Sequence, residues 1–557
     1  MTTTGDTAAT FCATLVDQWI VQGVSRAVIA PGSRSTPLAL ALVERAEIET
    51  LVLHDERSAS FAALGIGLAK GMPAVVLCSS GTAAAHFHAA VIEAHQSNVP
   101  MIVCTADRPP ELRDVSAPQT IDQANLYGTA VRWFHDPGVP SDDARGSWRS
   151  LAARAVDIST GARPGPVHLN LPFREPLTGT TGDLPSSLPG RGVHIMDAPN
   201  DSVQGLVERL GGHRGVIVAG RDSGYVPQGR SAVLDLAEAL GWPVLGDSRS
   251  AGRCTVARAD LILRSSRFAD THFPEVVLRI GEPPASKVLS QWVVRSGAEI
   301  VQIQPTGMVV EPEHRVGATW VGNAEQICAV AARQVVACGP GWLADWLTAE
   351  TVAESAVVSA TVEWTEPSCA RTVTDVVGAG DNLVVSSSMP VRDVEWFGHR
   401  TAARVYSNRG TNGIDGVVAT GIGIAASTGR RTVVYIGDVA LVHDSSSLVG
   451  LGARGLDIAI VVTNNDGGSI FSFLPQAGVV SQSVFETIYG TPHGTDFAHL
   501  AAAHGVAHTV VGSSDELRAA LGGRGPVLIE ARFVRGANVA AHEAINAAVV
   551  AAVDAAV

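Results

Sequence analysis

The sequence predicts an α/β protein made of three consecutive doubly wound domains, each built on a parallel sheet. The chain has 557 residues, more than one hydrophobic core usually organises. Short apolar runs alternate with helical stretches along its whole length, and two segments rich in helix- and strand-breaking residues divide it. Sheets of this kind bind ligands at the carboxyl ends of their strands, so functional residues are expected there.

The first predicted domain covers residues 1–180. "RAVIAPGSRSTPLALALVE" has the order strand, loop, helix, and this order recurs in "ETLVLHDERSASFAALGIGLAKG" and "AVVLCSSGTAAAHFHAAVIEAH". "PMIVCTADRPPEL" begins a further unit. The Gly-, Pro-, Ser- and Thr-rich stretch 177–192 is typical of a linker.

The middle domain (193–340) and the third domain (350–557) repeat the pattern. Strands are expected near "GVIVAG", "PVLGD", "VVLRIG" and "EIVQIQ" in the middle domain, and a second breaker region follows at "VACGPGW". In the third domain they are expected at "LVVSSS", "RVYSN", "RTVVYIGD", "IAIVVTNN" and "PVLIEARF".

Composition excludes several classes of protein. The net charge of −14 argues against a nucleic-acid or anionic-membrane partner. Seven scattered cysteines, none in a CxxC pair, indicate a reducing cytoplasm rather than a disulfide framework. We see neither a signal peptide at the N-terminus nor a run of about 18 apolar residues, so no membrane span is expected.

Two polar motifs close neighbouring strands of the third domain. Asp438 follows "TVVYIG", and Asn465 follows "IAIVVT" 27 residues later. Mg²⁺ prefers oxygen ligands and often shares them with phosphate. A carboxylate, an amide oxygen and a backbone carbonyl at one sheet edge suit that need, and Gly467 lets the backbone approach closely. A helix start near Asp444 and Ser445–Ser447 would offer N–H groups to phosphates.

This pair of motifs resembles the diphosphate–metal motif of thiamin diphosphate enzymes. The resemblance implies thiamin diphosphate and Mg²⁺, or Mn²⁺ in its place, with Asp438, Asn465 and the carbonyl of Gly467 as metal ligands and Gly437 beside the cofactor. Val439 departs from the pattern, since most of that superfamily has Gly there. "GLGARG" (450–455) matches G-x-G-x-x-G but precedes a strand, so we interpret it as a helix-to-strand connection.

Thiamin chemistry also needs a carboxylate that hydrogen-bonds N1′ of the cofactor. Asp55 and Glu56 stand where a strand gives way to a helix, and either suits a helix cap. The resemblance selects Glu56 as the catalytic, activating residue. Because the superfamily builds each site from two subunits, it also implies at least a homodimer, with a homotetramer as the alternative.

Further segments identify a subfamily. "APGSRSTPLALAL", "SSGTAAAH", "TADRPPEL", "APQTIDQ", "MPVRDVEWF", "YSNRGTNGIDG" and "NNDGGSIFSFLP" together resemble the 2-succinyl-5-enolpyruvyl-6-hydroxy-3-cyclohexene-1-carboxylate synthases of menaquinone biosynthesis. The resemblance extends along the whole chain and is thinnest in the middle domain. It implies a transferase that decarboxylates 2-oxoglutarate and adds the resulting succinic-semialdehyde carbanion to isochorismate.

Both substrates are dicarboxylates, and Arg is the side chain best suited to bidentate carboxylate contact. The resemblance assigns isochorismate carboxylates to Ser33, Arg34 and Arg108. It assigns further substrate contacts to Gln119, Lys287, Ser388, Arg392 and Arg409. Ser388 also borders the cofactor, as do Ile414, the apolar wedge under its bent form, and Ile470. Phe471 and Leu474 wall the pocket. Val288 stands where the family often has Arg, so Lys287 is the weaker match.

Two alternatives stay open at this point. One is another thiamin diphosphate enzyme, of the acetohydroxyacid synthase or 2-oxoacid decarboxylase type, although Arg-rich loops suit dianions better than pyruvate. The other is a non-catalytic nucleotide-binding protein. "VIVAGRDSG" (216–224) in the middle domain is too incomplete a fingerprint to support it.

Overall fold

The computed structural model describes residues 3–189, 203–221, 231–250, 254–308, 310 and 314–557. Its strands are β1 Arg26–Ile29, β2 Glu49–Val52, β3 Ala74–Cys78, β4 Met101–Asp107, β5 Trp133–His135, β6 Pro166–Pro172, β7 Gly215–Ala219, β8 Val244–Gly246, β9 Val276–Ile280, β10 Glu299–Gln304, β11 Val316–Val321, β12 Asn382–Val385, β13 Arg404–Tyr406, β14 Thr432–Gly437, β15 Ile458–Asn464, β16 Ala507–Val511 and β17 Val527–Arg532.

The α-helices are α1 Thr4–Val21, α2 Thr36–Val43, α3 Glu56–Lys70, α4 Thr82–His86, α5 His88–Gln96, α6 Trp148–Ser159, α7 Gln204–Leu210, α8 Ala232–Leu240, α9 Ala259–Ile262, α10 Ser266–Thr271, α11 Lys287–Ser296, α12 Ala324–Ala331, α13 Trp342–Ala360, α14 Glu366–Val376, α15 Met389–Phe397, α16 Val417–Thr428, α17 Asp438–His443, α18 Gln476–Val479, α19 Gln482–Phe485, α20 Phe497–Ala503, α21 Ser514–Leu521 and α22 Arg535–Ala556.

These strands form three parallel sheets, which confirms the predicted fold class. The first sheet has the order β2-β1-β3-β4-β6-β5, and the third repeats it as β13-β12-β14-β15-β17-β16. The middle sheet has the order β11-β10-β9-β7-β8. In the first sheet the strand order reverses between β1 and β3, and in the third between β12 and β14. Ligand crevices form at such switch points.

The strands expected from the apolar runs are present, and four others were not anticipated. β5, β11 and β16 are edge strands with half-exposed faces, so their apolar signal is weak. β6 is fully buried, but its sequence "PVHLNLP" interrupts the apolar run with His and Asn.

The hydrophobic core of the middle domain also contains side chains from two helices that lie beyond residue 340. Trp342, Trp346 and Val357 of α13 pack in the same cluster as the β7 and β9 side chains, and so do Ile545 and Val549 of α22. The predicted linker has neither helix nor strand over 177–189, while residues 190–192 lie outside the described residues, as do residues 222–224 of "VIVAGRDSG".

Helices α3 and α16 join the first and third domains. A Cβ on Gly65 would collide with the carbonyl oxygen of Thr420, and one on Gly423 would collide with that of Ala62. The helices can therefore cross this closely only because glycine lies at both positions. The crossing fixes the orientation of α3, whose first residue is Glu56.

One helix of the described chain, Arg535–Ala556, is long and apolar enough to cross a membrane by length and composition alone. Its sequence contains no long apolar run, since its alanines are interrupted by polar residues. Asn538, His542, Ile545, Val549 and Val553 form its buried stripe against the rest of the chain.

Candidate active site

A cavity of about 380 Å³ opens at the switch point of the third sheet, beyond the ends of β12 and β14. Its lining contains most of the predicted cofactor residues, Ser388, Ile414, Gly437, Asp438, Asn465, Gly467 and Ile470, and three of the predicted substrate residues, Arg392, Arg409 and Phe471. Val439 and Glu366 also line it. Segments far apart in the sequence thus converge on one space.

Asp438 organises the loop after β15. Its Oδ2 accepts N–H bonds from Asn465 at 2.9 Å and Gly467 at 3.0 Å, and its Oδ1 accepts the N–H of Val439 at 2.7 Å. Burial raises the pKa of this carboxyl above its ordinary value, and the three N–H donors act in the opposite direction. The Asp438 carboxylate therefore links the end of β14 to the loop that follows β15.

Asn465 presents an oxygen without a partner. Its Oδ1 is buried and has no hydrogen-bond partner among the described residues, while its Nδ2 donates to Glu366 Oε1 at 2.9 Å. Such an orphaned oxygen beside a carboxylate is the donor that a hard cation needs. Gly467 has a φ of +143°, and a Cβ there would collide with the carbonyl of Gly490, so only glycine fits.

The helix after β14 differs from expectation. It begins at Asp438 itself, so the N–H groups at the cavity belong to its first turn and not to a helix near Asp444. Asp444 is buried and accepts the backbone N–H groups of Val418 and Ala419 at 2.7 and 3.0 Å. Ser447 donates to Ser58 of the first domain at 2.9 Å. The prediction that the Ser445–Ser447 run binds phosphate is therefore wrong, because this run joins two domains.

Two arginines reach the cavity from neighbouring loops. Arg392, in the first turn of α15, donates to the carbonyl of Ser388 at 2.6 Å. Ser388 has a φ of +75°, a strained conformation for serine that is typical of functional sites. Arg409 has no hydrogen-bond partner among the described residues, and burial, with Arg249 nearby, lowers its pKa. A partly buried cation without a partner is well suited to bind an anionic ligand.

The switch point of the first sheet collects the other predicted cations. Arg108 donates to Ser80 Oγ and, at 3.0 Å, to the carbonyl of Gln119. Gln119 has a φ of +56° and donates to the carbonyl of Ser80 at 3.1 Å. Burial and the nearby Arg34 lower the pKa of Arg108. Arg34 is buried and pairs with Glu175 at 3.1 Å. The exposed Ser33 directly precedes Arg34 on the loop between β1 and α2.

Glu56 opens α3, as predicted, and Asp55 takes the capping role. The Asp55 side chain accepts the N–H of Arg57 at 2.8 Å. The Glu56 carboxylate makes no hydrogen bond or ion pair within the described chain, and Glu56 does not line the Asp438 cavity. The two predicted halves of the site are therefore separate in one chain.

Two further predicted residues lie neither in this cavity nor among the residues described at the first sheet. Lys287 is exposed at the start of α11, and Leu474 is 38% exposed beyond the 3-10 turn Ser469–Phe473. Two residues near the ligand set were missed by sequence reasoning. Glu366 lies 99 positions before Asn465, and His493 has its Nε2 3.5 Å from Asp438 Oδ2. The turn-forming segment "TPHG" around His493 is a weak sequence signal for this residue.

Family models match all three domains. A "Thiamine pyrophosphate enzyme, N-terminal TPP binding domain" covers residues 9–126, a "Middle domain of thiamine pyrophosphate" covers 199–385, and a "Thiamine pyrophosphate enzyme, C-terminal TPP binding domain" covers 391–531. Relatives that are similar over nearly the whole chain carry the name 2-succinyl-5-enolpyruvyl-6-hydroxy-3-cyclohexene-1-carboxylate synthase. The Myxococcus xanthus protein is 40% identical, with 96% of each chain covered.

The chain belongs to this synthase family. The synthase of Chloroflexus aurantiacus is also 40% identical, over 96% of this chain and 95% of its own. That of Saccharopolyspora erythraea is 38% identical, over 96% and 97%. The synthase relationship thus extends across the middle domain, where the motif resemblance was thinnest. It makes the chain a thiamin diphosphate-dependent transferase that forms a carbon–carbon bond.

Proposed function

We propose that this enzyme decarboxylates 2-oxoglutarate and transfers the remaining four-carbon unit to isochorismate, giving the product named in its relatives. The observation that carries the proposal is the arrangement of Asp438, Asn465 and Gly467 at the switch-point cavity, in a chain 40% identical to named synthases. Mg²⁺ is the proposed metal, with Mn²⁺ as a substitute.

The residues present fit both groups. Asp438 offers a buried carboxylate, Asn465 an unpartnered amide oxygen and Gly467 a backbone carbonyl, all oxygen ligands of the kind Mg²⁺ prefers. Ile414, Ile470 and Phe471 supply apolar walls. When bound, thiamin diphosphate supplies a thiazolium carbon that attacks a keto group and accepts the electron pair released with CO₂.

The side chains of this enzyme would bind and orient the cofactor and both substrates. Glu56 would accept a hydrogen bond from, or share a proton with, N1′ of the cofactor's pyrimidine. Arg392 and Arg409 hold the carboxylates of 2-oxoglutarate in the cavity, which Ser388 also lines. Arg34, Arg108 and Ser33 hold isochorismate, Gln119 is a further substrate contact, and Lys287 and Leu474 border the same site in the assembled enzyme.

Because Glu56 lies outside the Asp438 cavity of its own chain, each site is proposed to join the first domain of one subunit to the third domain of another. The enzyme is then at least a homodimer. The cytoplasm is the proposed location, consistent with seven free cysteines.

The test is anaerobic incubation with Mg²⁺, thiamin diphosphate, 2-oxoglutarate and isochorismate, followed by mass analysis. A product carrying isochorismate plus the four-carbon unit is expected, with one CO₂ released. Product formation from pyruvate alone would instead support an acetohydroxyacid synthase activity. Omitting isochorismate is the control for unproductive decarboxylation.

A further inference from the structure

The metal site contains an amide whose two ends are chemically different. Asn465 can present either its oxygen or its NH₂ group to the cavity, and only the oxygen can bind a cation. Rotation of the amide by half a turn would replace a ligand with two donors. Something outside the ligand set must therefore fix its orientation.

Glu366 has the position and chemistry for this task. Its Oε1 accepts the Nδ2 group of Asn465 at 2.9 Å, and this is its only hydrogen bond within the described chain. Oε1 acts here as an acceptor, and an unprotonated carboxyl oxygen has no proton to donate. It therefore selects the NH₂ end and leaves Oδ1 buried, unpartnered and available.

Helix α14 holds Glu366 in place. Glu366 is the first residue of α14, and it is 2% exposed. Thr365 and Ser368 form a capping box around it, in which each side chain bonds the backbone of the other residue. The carboxylate thus reaches the cavity from a fixed helix end and not from a flexible loop.

We infer that Glu366 is a positioning residue that turns the Asn465 oxygen toward the metal ion. The inference rests on the metal site proposed above. Outer partners of this kind typically change metal affinity by about 10–100-fold when they are replaced. The neighbouring Asn464 provides a comparison, since its Nδ2 donates to Glu530 Oε1 at 2.7 Å although it is not a proposed ligand.

The experiment measures Mn²⁺ binding with thiamin diphosphate present, by the loss of the EPR signal of free Mn²⁺. Glu366→Gln keeps the shape of the side chain but lets its amide donate, so both orientations of Asn465 become possible. We expect Mn²⁺ to bind about 10–100-fold more weakly. Glu530→Gln is the matched control and should stay close to wild type. Equal losses in the two variants would overturn the inference.

The same substitution made in an Asn465→Asp variant distinguishes a positioning role of Glu366 from a general loss of structure around the site. Asn465→Asp has two equivalent oxygens and needs no orientation, but places a second carboxylate beside Glu366. In that background Glu366→Gln should leave Mn²⁺ binding close to that of the single Asn465→Asp variant, because no amide orientation remains to be lost. Weakening of the same size in both backgrounds would contradict the proposed role.

The wild-type titration keeps the two proposals distinct. If wild-type enzyme binds no Mn²⁺ with thiamin diphosphate, the metal site fails and the role of Glu366 fails with it. If wild type binds Mn²⁺ and Glu366→Gln binds it equally well, only the positioning role is overturned. Thermal unfolding of each variant checks that the fold is retained.

Discussion

The carboxylate of Glu93 accepts both the backbone N–H and the hydroxyl of Thr411, at 2.7 and 2.8 Å. It also accepts the N–H of Gly410 at 2.7 Å. Glu93 belongs to α5 of the first domain, whereas Thr411 lies two residues after Arg409, the proposed substrate arginine. A buried carboxylate of one domain therefore holds the loop of another that carries this proposed substrate residue.

Replacing Glu93 should loosen that loop. Glu93→Gln loses charge-assisted acceptors, each worth about 1.5–3 kcal/mol. We expect a lower thermal midpoint and a higher KM for 2-oxoglutarate, because Arg409 is no longer fixed. Steady-state kinetics and calorimetry measure both. Glu47→Gln, an exposed carboxylate paired with Arg45, is the control; an unchanged KM in Glu93→Gln would contradict the coupling.

Glu56→Gln tests the activating carboxylate. The variant should still bind cofactor and metal, since the proposed metal ligands Asp438, Asn465 and Gly467 are unchanged. Exchange of the C2 proton of bound thiamin diphosphate should slow by about 10²–10⁴-fold, the usual contribution of an acid–base group. NMR of quenched exchange reactions measures this rate. Asp55→Asn should alter stability through the cap and leave exchange near wild type.

Subunit mixing tests whether the site is shared. Glu56→Gln and Asp438→Ala homodimers should each be inactive. In a mixed dimer, an intact Glu56 from one chain meets an intact Asp438 from the other, so one of its two sites is restored. Random exchange should then recover about a quarter of wild-type activity. No recovery after verified subunit exchange would indicate that each chain builds its own site.

Much of this arrangement could be anticipated from local sequence, and the failures share one cause. Asp438 and Asn465 close adjacent buried strands, so parallel pairing places them together. Glu366 and Glu93 carry no local signal, because their partners lie 99 and 318 positions away. Asp444 was misassigned for the same reason: its acceptor role toward Val418 appears only once α16 has packed. Long-range polar contacts depend on packing that motif spacing does not specify.

His168 should make the first domain sensitive to acid. Its side chain is fully buried, its Nε2 lies 2.8 Å from Thr105 Oγ1, and burial lowers its pKa to about 3. The unfolded chain takes up this proton near pH 6.5, and the folded chain does so only near pH 3. The part of the unfolding free energy that depends on neutral His168 is therefore present above pH 6.5 and is lost as the pH falls from 6.5 toward 3.

Between pH 6.5 and pH 4 the loss attributable to His168 should be roughly 3 kcal/mol. His168→Gln should remove this dependence, so that the stability difference between variant and wild type shrinks as the solution is acidified. Urea unfolding at several pH values measures it. His86→Gln, at an exposed position of the same domain, should leave the dependence unchanged.

The two arginine pairs should serve different substrates. Arg392 and Arg409 line the cavity of the third domain, whereas Arg34 and Arg108 lie together at the switch point of the first. Loss of one charged hydrogen bond should cost about 1.5–3 kcal/mol, or one to two decades in kcat/KM. Arg392→Ala should therefore raise KM mainly for 2-oxoglutarate, and Arg34→Ala mainly for isochorismate.

Steady-state kinetics with each substrate varied in turn distinguishes the two effects, and equal increases for both substrates in both variants would refute the division. Release of CO₂ from 2-oxoglutarate without isochorismate should be preserved in Arg34→Ala, and its loss would move Arg34 into the first half of the reaction.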